Sequence, residues 1–353
     1  MKNIGERVKK YRELMKLTKV ELAKQIDCDP SLITKYEKGT RTLSIQNILK
    51  IANILKVPVE FFFTDKEYSF TMFARGSIKK HKEEIELVKD LNKICHHLYD
   101  LSELLNVNIK YNGPKDKLDE DFSESLVNEI KKELCLPEKF NFETLSSQLF
   151  EKWKIIVFEM PFNVDSFSGV SIKYEEIVAI FINKNHSEER KLFSLVHEIA
   201  HVVMHLSENI SLAILSRNDP KEKEANLFAE NFLIPSDVLL NKIIEIKKNS
   251  KFTREKIQQL ADSFNVSYNC LFYKLHKKEL VHYSNKELAP ETHTPNQTLF
   301  HYSYKDFPQR FIFLLAMGII KEVVSFAKIA EILLCSIEET EALLNPIIKI
   351  IEE

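Results

Sequence analysis

The sequence predicts a mainly α protein with a small β-sheet, an α+β chain of several domains. Three observations carry that prediction. Only six of the 353 residues are glycine, while Lys, Glu, Leu and Ile abound, a balance that favours helix. Apolar residues recur at helical spacing, as in Ile4, Val8, Tyr11 and Leu14. Two β-rich runs, WKIIVFEM (153–160) and IVAIFI (177–182), interrupt the helical pattern once, in mid-chain. With 44% hydrophobic and 29% charged residues, the composition is that of a soluble globular chain, and the length allows two or three domains. The charged start (MKNIGERVKKYRELMK) is no signal peptide, and the apolar run at 311–320 is too short to span a bilayer. Cys28, Cys95, Cys135, Cys270 and Cys335 are odd in number and form no CxxC pair. They fit reduced thiols in a cytoplasm, without membrane attachment.

The elements follow in order. Residues 1–65 carry 13 basic against 8 acidic residues, net +5, whereas the whole chain is at −2. A basic head on an acidic body places any nucleic-acid contact in the head. Residues 3–63 read as five short helices. Thr18 can N-cap the second (KVELAKQI), with Glu21 completing a capping box. Asp27-Cys28 makes a tight turn, and Asp29 can cap a third helix that opens on Pro30 and ends at Gly39. A fourth (SIQNILKIANIL) and a fifth (PVEFFF) close a core of Leu22, Ala23, Ile26, Ile33, Ile48, Ile51 and Leu55. Two short helices joined by a tight turn make a helix-turn-helix, whose second helix enters the major groove. Ser31, Thr34 and Lys35 would face the bases of a double-stranded operator, and Thr18, Lys19, Thr40 and Arg41 would flank the phosphates. The plainer alternative is a head that docks on protein.

Residues 66–130 read as linker and connector. After KEYSFTMFARGSI comes a helix with Leu87, Leu91, Ile94, Leu98, Leu101 and Leu105, a seam of fewer than three heptads. It suits either a homodimer contact or packing onto its own chain. Cys95, His96 and His97 lack metal spacing and read as structural or solvated.

The body is expected at 131–245. FSLVHEIAHVVMHL (193–206) places His197, His201 and His205 four apart in an apolar helix. Positions i and i+4 nearly superpose one turn apart, so His197 and His201 can present two nitrogens to one ion. Glu198, about 100° round the helix, falls beside the ion's open position as a base. H-E-x-x-H is the helical signature of zinc peptidases. A catalytic zinc needs a third protein ligand. In PKEKEANLFAENFLIP (220–235), Glu222, Ala225, Asn226 and Ala229 share one face. The alanines permit close approach, so Glu222 can reach the ion, with Asn226 one turn on as its supporting partner. Glu224 points elsewhere. Alternatively, both glutamates are a solvated helix start. His205 starts too far along the axis to share the ion, and reads as a supporting or structural histidine.

Two resemblances follow. LTKVELAKQI, SLITKYEKGTR and SIQNILKIANILKV resemble the Xre/Cro-type repressors, which implies a five-helix, lambda-repressor-like head. Lys19 stands where that family usually has Gln, and bidentate adenine readout there becomes doubtful. The order strand, strand, HExxH helix and ExxAN-x-FA helix over about 140–240 resembles the ImmA/IrrE metallopeptidases. Gly169, Ile180–Asn183, Arg190, Phe193, Phe228, Leu233 and Pro235 also match, and Ala200 departs where Gly is frequent. This resemblance implies a gluzincin-like domain with Zn2+ on His197, His201 and Glu222, and Glu198 as base. It also implies an extended peptide held at a strand edge, with 177–182 the candidate.

Residues 246–353 read as a helical C-terminal region, a sensor or partner surface. TREKIQQLADSFNVSYNCLFYKLHKKELV has a second helix-turn-helix rhythm, with Ser267 as a cap and Leu260, Ala261, Phe264, Leu271 and Leu275 inward; 321–345 repeats it faintly. Acidic faces argue for closing the body over touching DNA. Residues 283–300 read as a loop, and its His293, with His301, lacks ligand spacing. Together the features predict a bacterial DNA-binding regulator with a zinc endopeptidase that cleaves a repressor-type protein, a partner or itself. The competing class is a transcription factor or antitoxin-like module whose zinc site is structural, latent or sensory. A zinc position filled by a cysteine, Cys135 being the first suspect, would favour that class.

Overall fold

The computed structural model describes residues 4–14, 17–55, 71–75, 81–114, 124–162, 168–206, 213–215, 220–249, 252–285, 287–290, 306–333 and 335–352. The head comprises α1 (Ile4–Leu14), α2 (Lys19–Gln25), α3 (Pro30–Glu37) and α4 (Ile45–Leu55). The fifth helix expected at 58–63 lies outside the described residues. Local chemistry sets the boundaries. Thr18 and Glu21 close a reciprocal capping box on α2, and the Asp29 side chain accepts from the Ser31 amide with Pro30 at the first helical position. Asp27 and Gly39 adopt positive φ at the two turns. Val8, Leu22, Ala23, Ile26, Ile33, Ile48, Ile51 and Leu55 close the head's core. Arg12 and Glu37 form a buried ion pair beneath it.

The body is built on a five-stranded sheet in the order β2-β4-β3-β1-β5. Its strands are β1 (Thr71–Arg75), β2 (Ile156–Met160), β3 (Gly169–Tyr174), β4 (Ile177–Asn183) and β5 (Ala213–Leu215). β2 runs parallel to β4, β3 antiparallel to β4 and β1, and β5 parallel to β1. Three corrections to the sequence reading follow. Gly169–Tyr174, between the two expected strands, is itself a strand. The linker contains β1. Strand 177–182 is no edge, because β4 is paired on both sides, with every residue of it buried.

Each sheet face carries its own core. On one face Val157, Val178, Ile180 and Ile182 meet α6 (Glu124–Glu133), α7 (Phe142–Trp153), α8 (Glu188–His205), α9 (Pro220–Leu233), α10 (Ser236–Asn249), α11 (Arg254–Ser263) and α12 (Tyr268–Lys277). Ser267 caps α12, and Leu260, Ala261, Leu271 and Leu275 are buried in this core with Phe264 packed against it. The boundary placed at 245 therefore cuts through one core. On the other face, Ile156, Phe158, Phe181 and Ile172 meet α5 (His81–Leu105), α13 (Gln309–Ile320), α14 (Phe326–Leu333) and α15 (Ile337–Glu352). Phe158 stacks on Phe181 with ring centroids 4.7 Å apart. Leu91, Ile94, Leu98, Leu101 and Leu105 are buried here, so the heptad seam packs onto its own chain; the Leu87 side chain lies outside the described residues. Among the described residues, no helix is long and apolar enough to cross a membrane.

Candidate metal centre

α8 begins at Ser187, whose side chain accepts from the Arg190 amide, and Glu188 and Glu189 suit its positive end. Its apolar residues Leu192, Leu195, Val196, Ile199, Val202 and Val203 lock the helix against the sheet. That packing carries His197, Glu198, His201 and His205 inside, with His201 fully buried. Buried imidazoles and carboxylates are costly unless partnered, and here they partner one another. α9 packs on α8 with its Ala225 and Ala229 buried, and Glu222 near its start reaches the histidines. Nε2 of His201 lies 3.1 Å from Nε2 of His197. The Glu222 carboxylate lies 3.2 Å from the first nitrogen and 3.5 Å from the second. The three donor atoms lie within 4.8 Å of one another, and all three residues are buried. Burial pushes the Glu222 carboxyl up, but hydrogen bonds and positive charge from His197 and His201 hold it far below the usual carboxylate range. Two imidazole nitrogens and a carboxylate oxygen converging on one point form a donor set that suits zinc.

Glu198 is buried beside this group. Gly169, the first residue of β3, stands against it: a Cβ there would meet the Glu198 Cγ at 3.3 Å. Arg190 ties the same corner down by donating to the Ser168 hydroxyl, 3.2 Å away. His205 stays out of the triad. Its Nδ1 lies 3.1 Å from Nδ1 of His201, and its Nε2 lies 3.1 Å from the Glu224 carboxylate. Burial, with the charge of His201, pushes the His205 imidazole down to about 4 despite Glu224. Glu224, expected to point elsewhere, is not part of the triad but holds His205, the histidine beside it. Helix geometry alone gave no signal for that contact. Asn226 lies half-buried one turn beyond Glu222.

Other expected residues fall elsewhere. The Cys135 side chain is exposed, its sulfur facing the Glu133 carbonyl, and among the described residues it joins no donor group. His96, His97 and Asp100 form a second, half-exposed donor cluster on α5, where His96 pairs with Asp100 along the helix and with the Tyr174 hydroxyl. In the head, Ser31, Lys35, Thr40 and Arg41 are exposed and Thr34 is half-buried. The Thr18 hydroxyl is held in its capping box, and the Lys19 amine lies 3.5 Å from Glu37.

This arrangement defines a helix-turn-helix head joined to a metallopeptidase-like body. Residues 8–62 match the helix-turn-helix family model, and residues 150–276 match that of the IrrE N-terminal-like domain. The chain thus combines an Xre-type segment with an IrrE/ImmA-like segment. Among curated proteins, it is 35% identical over 65 residues to an uncharacterized transcriptional regulator in the ATPase CF(0) region of Rhodospirillum rubrum, covering 18% of this chain and 60% of that one. An uncharacterized HTH-type transcriptional regulator of Sinorhizobium medicae is 33% identical over 63 residues, covering 18% and 45%. The chain thus spans about half the length of these relatives. A solved Bacillus thuringiensis PlcR, in complex with the peptide PapR7 and DNA, aligns over 92% of this chain and 99% of that one at 13% identity. Its TM-score of 0.19 is too low to bear on architecture.

Proposed function

We propose that the chain is a cytoplasmic DNA-binding regulator whose body is a zinc-dependent endopeptidase acting on a repressor-type protein. The convergence of His197, His201 and Glu222 on one point, with Glu198 buried beside it, carries this reading. Those three residues would hold the ion. Bound zinc would lower the pKa of a water toward about 7 and polarise a substrate carbonyl. Glu198 would take the proton from that water and pass it to the departing amide nitrogen. For His201 to offer Nε2, its proton must sit on Nδ1, which then donates to Nδ1 of His205. His205 in turn donates from Nε2 to Glu224. That single tautomer chain would keep the His201 ring oriented.

In the head, Ser31, Thr34 and Lys35 would read operator bases, with Arg41 and Thr40 on phosphate. The basic balance of the head and the exposed start of α3 support this. Thr18 and Lys19 would contribute less, being engaged by Glu21 and Glu37. A symmetric operator calls for two copies; the contact between them would lie away from the buried α5 seam. The decisive test is Glu198→Gln. Zinc content should remain near one ion per chain, and peptide cleavage should fall by three orders of magnitude or more. Undiminished cleavage by the variant would overturn the assignment of the base, and absence of bound metal in the parent chain would overturn the site.

A further inference from the structure

A peptidase site is completed by an edge on which an extended peptide can lie. Here the edge nearest the site is the outer side of β3, because its first residue, Gly169, stands against Glu198. That edge is already covered. β1, from the segment joining head to body, pairs antiparallel with β3 through Thr71 opposite Lys173, Met72 opposite Ile172, Phe73 opposite Ser171 and Ala74 opposite Val170. β5, from the segment joining α8 to α9, covers the other side of β1 through Phe73 opposite Ala213 and Ala74 opposite Ile214. β1 is therefore an extended peptide clasped on both sides, between β3 and β5. One further step of the antiparallel register brings Arg75 opposite Gly169, the residue against Glu198. The chain runs toward the site in the direction of increasing number, and the last described residue of β1 arrives there.

We propose that the substrate of the body is this chain's own head-to-body segment, bound as β1 and hydrolysed at Arg75, at the bond on one side of it or the other. This inference rests on the peptidase reading above. In the step, the water oxygen joins the carbonyl carbon and the carbon–nitrogen bond breaks. The water proton travels through Glu198 to the leaving nitrogen. The products are a new carboxylate on the head fragment and a new amine on the body fragment. No other reactant is consumed. Only five residues, 76–80, separate β1 from α5, so the segment is held at high effective concentration and outcompetes peptides from solution. Cleavage there parts the operator-binding head from everything else in the chain.

Three measurements on the full chain test this. In the metal-free Glu198→Gln protein, backbone amides of 71–75 and of Val170–Tyr174 should be protected from hydrogen exchange by at least 100-fold. Phe73→Pro and Ala74→Pro each remove an amide from one of the two flanking ladders, and should lower that protection at least tenfold while leaving exchange in α1–α4 unchanged. With zinc added to the parent chain, mass spectrometry should find a break at Arg75, absent in Glu198→Gln. Its rate constant should not change over a 100-fold range of protein concentration. Free exchange at 71–75, or a cleavage rate that scales with concentration, overturns the proposal. An intact segment in a zinc-loaded chain that still cuts an added extended peptide overturns it too, yet leaves the peptidase reading standing. A zinc-loaded chain that cuts neither overturns both.

Discussion

At the scale of single residues, the site depends on one small side chain as much as on its ligands. Gly169 has no atom to spare: a Cβ would lie 2.9 Å from Cδ1 of Ile182, 3.2 Å from the Phe181 carbonyl oxygen and 3.3 Å from Cγ of Glu198. The isoleucine tip can turn aside, but the β4 backbone cannot, so Glu198 must give. Gly169→Ala should therefore cost about 1–2 kcal/mol of stability by overpacking and slow cleavage about tenfold or more by displacing the base. Zinc affinity should stay within a factor of three, because His197, His201 and Glu222 are not among the atoms that the added methyl meets first. Cleavage rate and zinc titration on the same preparation check this. Equal losses in both would mean that the whole centre had shifted.

At the scale of elements, α5 shows why some of the sequence was legible and some was not. Its leucine seam is plain in the sequence, but the choice between a second copy and its own chain depends on Phe158, Phe181 and Phe311, which are distant in sequence. His97 on the same helix is half-buried against α14. Burial, then the charge of His96, Lys328 and Lys93, pushes its imidazole down to about 4, with Glu331 opposing. The unfolded chain, with a histidine near about 6.5, takes up this proton first as pH falls. The stability tied to neutral His97 is thus complete above about 6.5 and is lost between there and about 4. Allowing for partial exposure, His97→Gln should recover about 1 kcal/mol at pH 4.5 relative to pH 7. Urea midpoints of the two proteins at both values measure it; parallel midpoints would show that His97 does not titrate in this window. Other elements obeyed local rules. Capped helices such as α2, α3 and α12 were visible as Thr18, Asp29 and Ser267, because a cap is chemistry between near neighbours. The triad was visible because helical spacing fixes which residues share a face. In β3, Val170, Ile172 and Tyr174 alternate with Ser171 and Lys173, but the glycine that opens it, Gly169, is as much a turn signal as a strand start. β1 and β5 had no local signal strong enough: each exists through its partner. Lys274, whose amine joins the carbonyls of Glu230 and Ile234 at the end of α9, likewise has no signature in its own helix.

At the scale of the molecule, the cores imply two units that unfold separately. The head closes its own core on α1–α4. In the body, two cores share the strands of one sheet, so neither face can open without exposing the other. Calorimetry should therefore resolve two transitions, and each should answer to its own perturbation. Gly5→Ala strikes the head alone. Its Cβ would collide with the Tyr36 carbonyl oxygen, a backbone atom of α3, and the strain should cost about 1–3 kcal/mol. In a unit of that size the first transition should fall by about 4 °C or more. Zinc held by His197, His201 and Glu222, as proposed, would strike the body alone, because all three belong to it. At 100 times its dissociation constant, an ion that binds only the folded form adds about 2.7 kcal/mol, which should raise the second transition by about 5–10 °C. His197→Ala should abolish that rise while leaving the first transition in place. If zinc instead moved both transitions together, head and body would melt as one cooperative unit. Cutting the segment between them would then cost the body stability as well as its link to DNA.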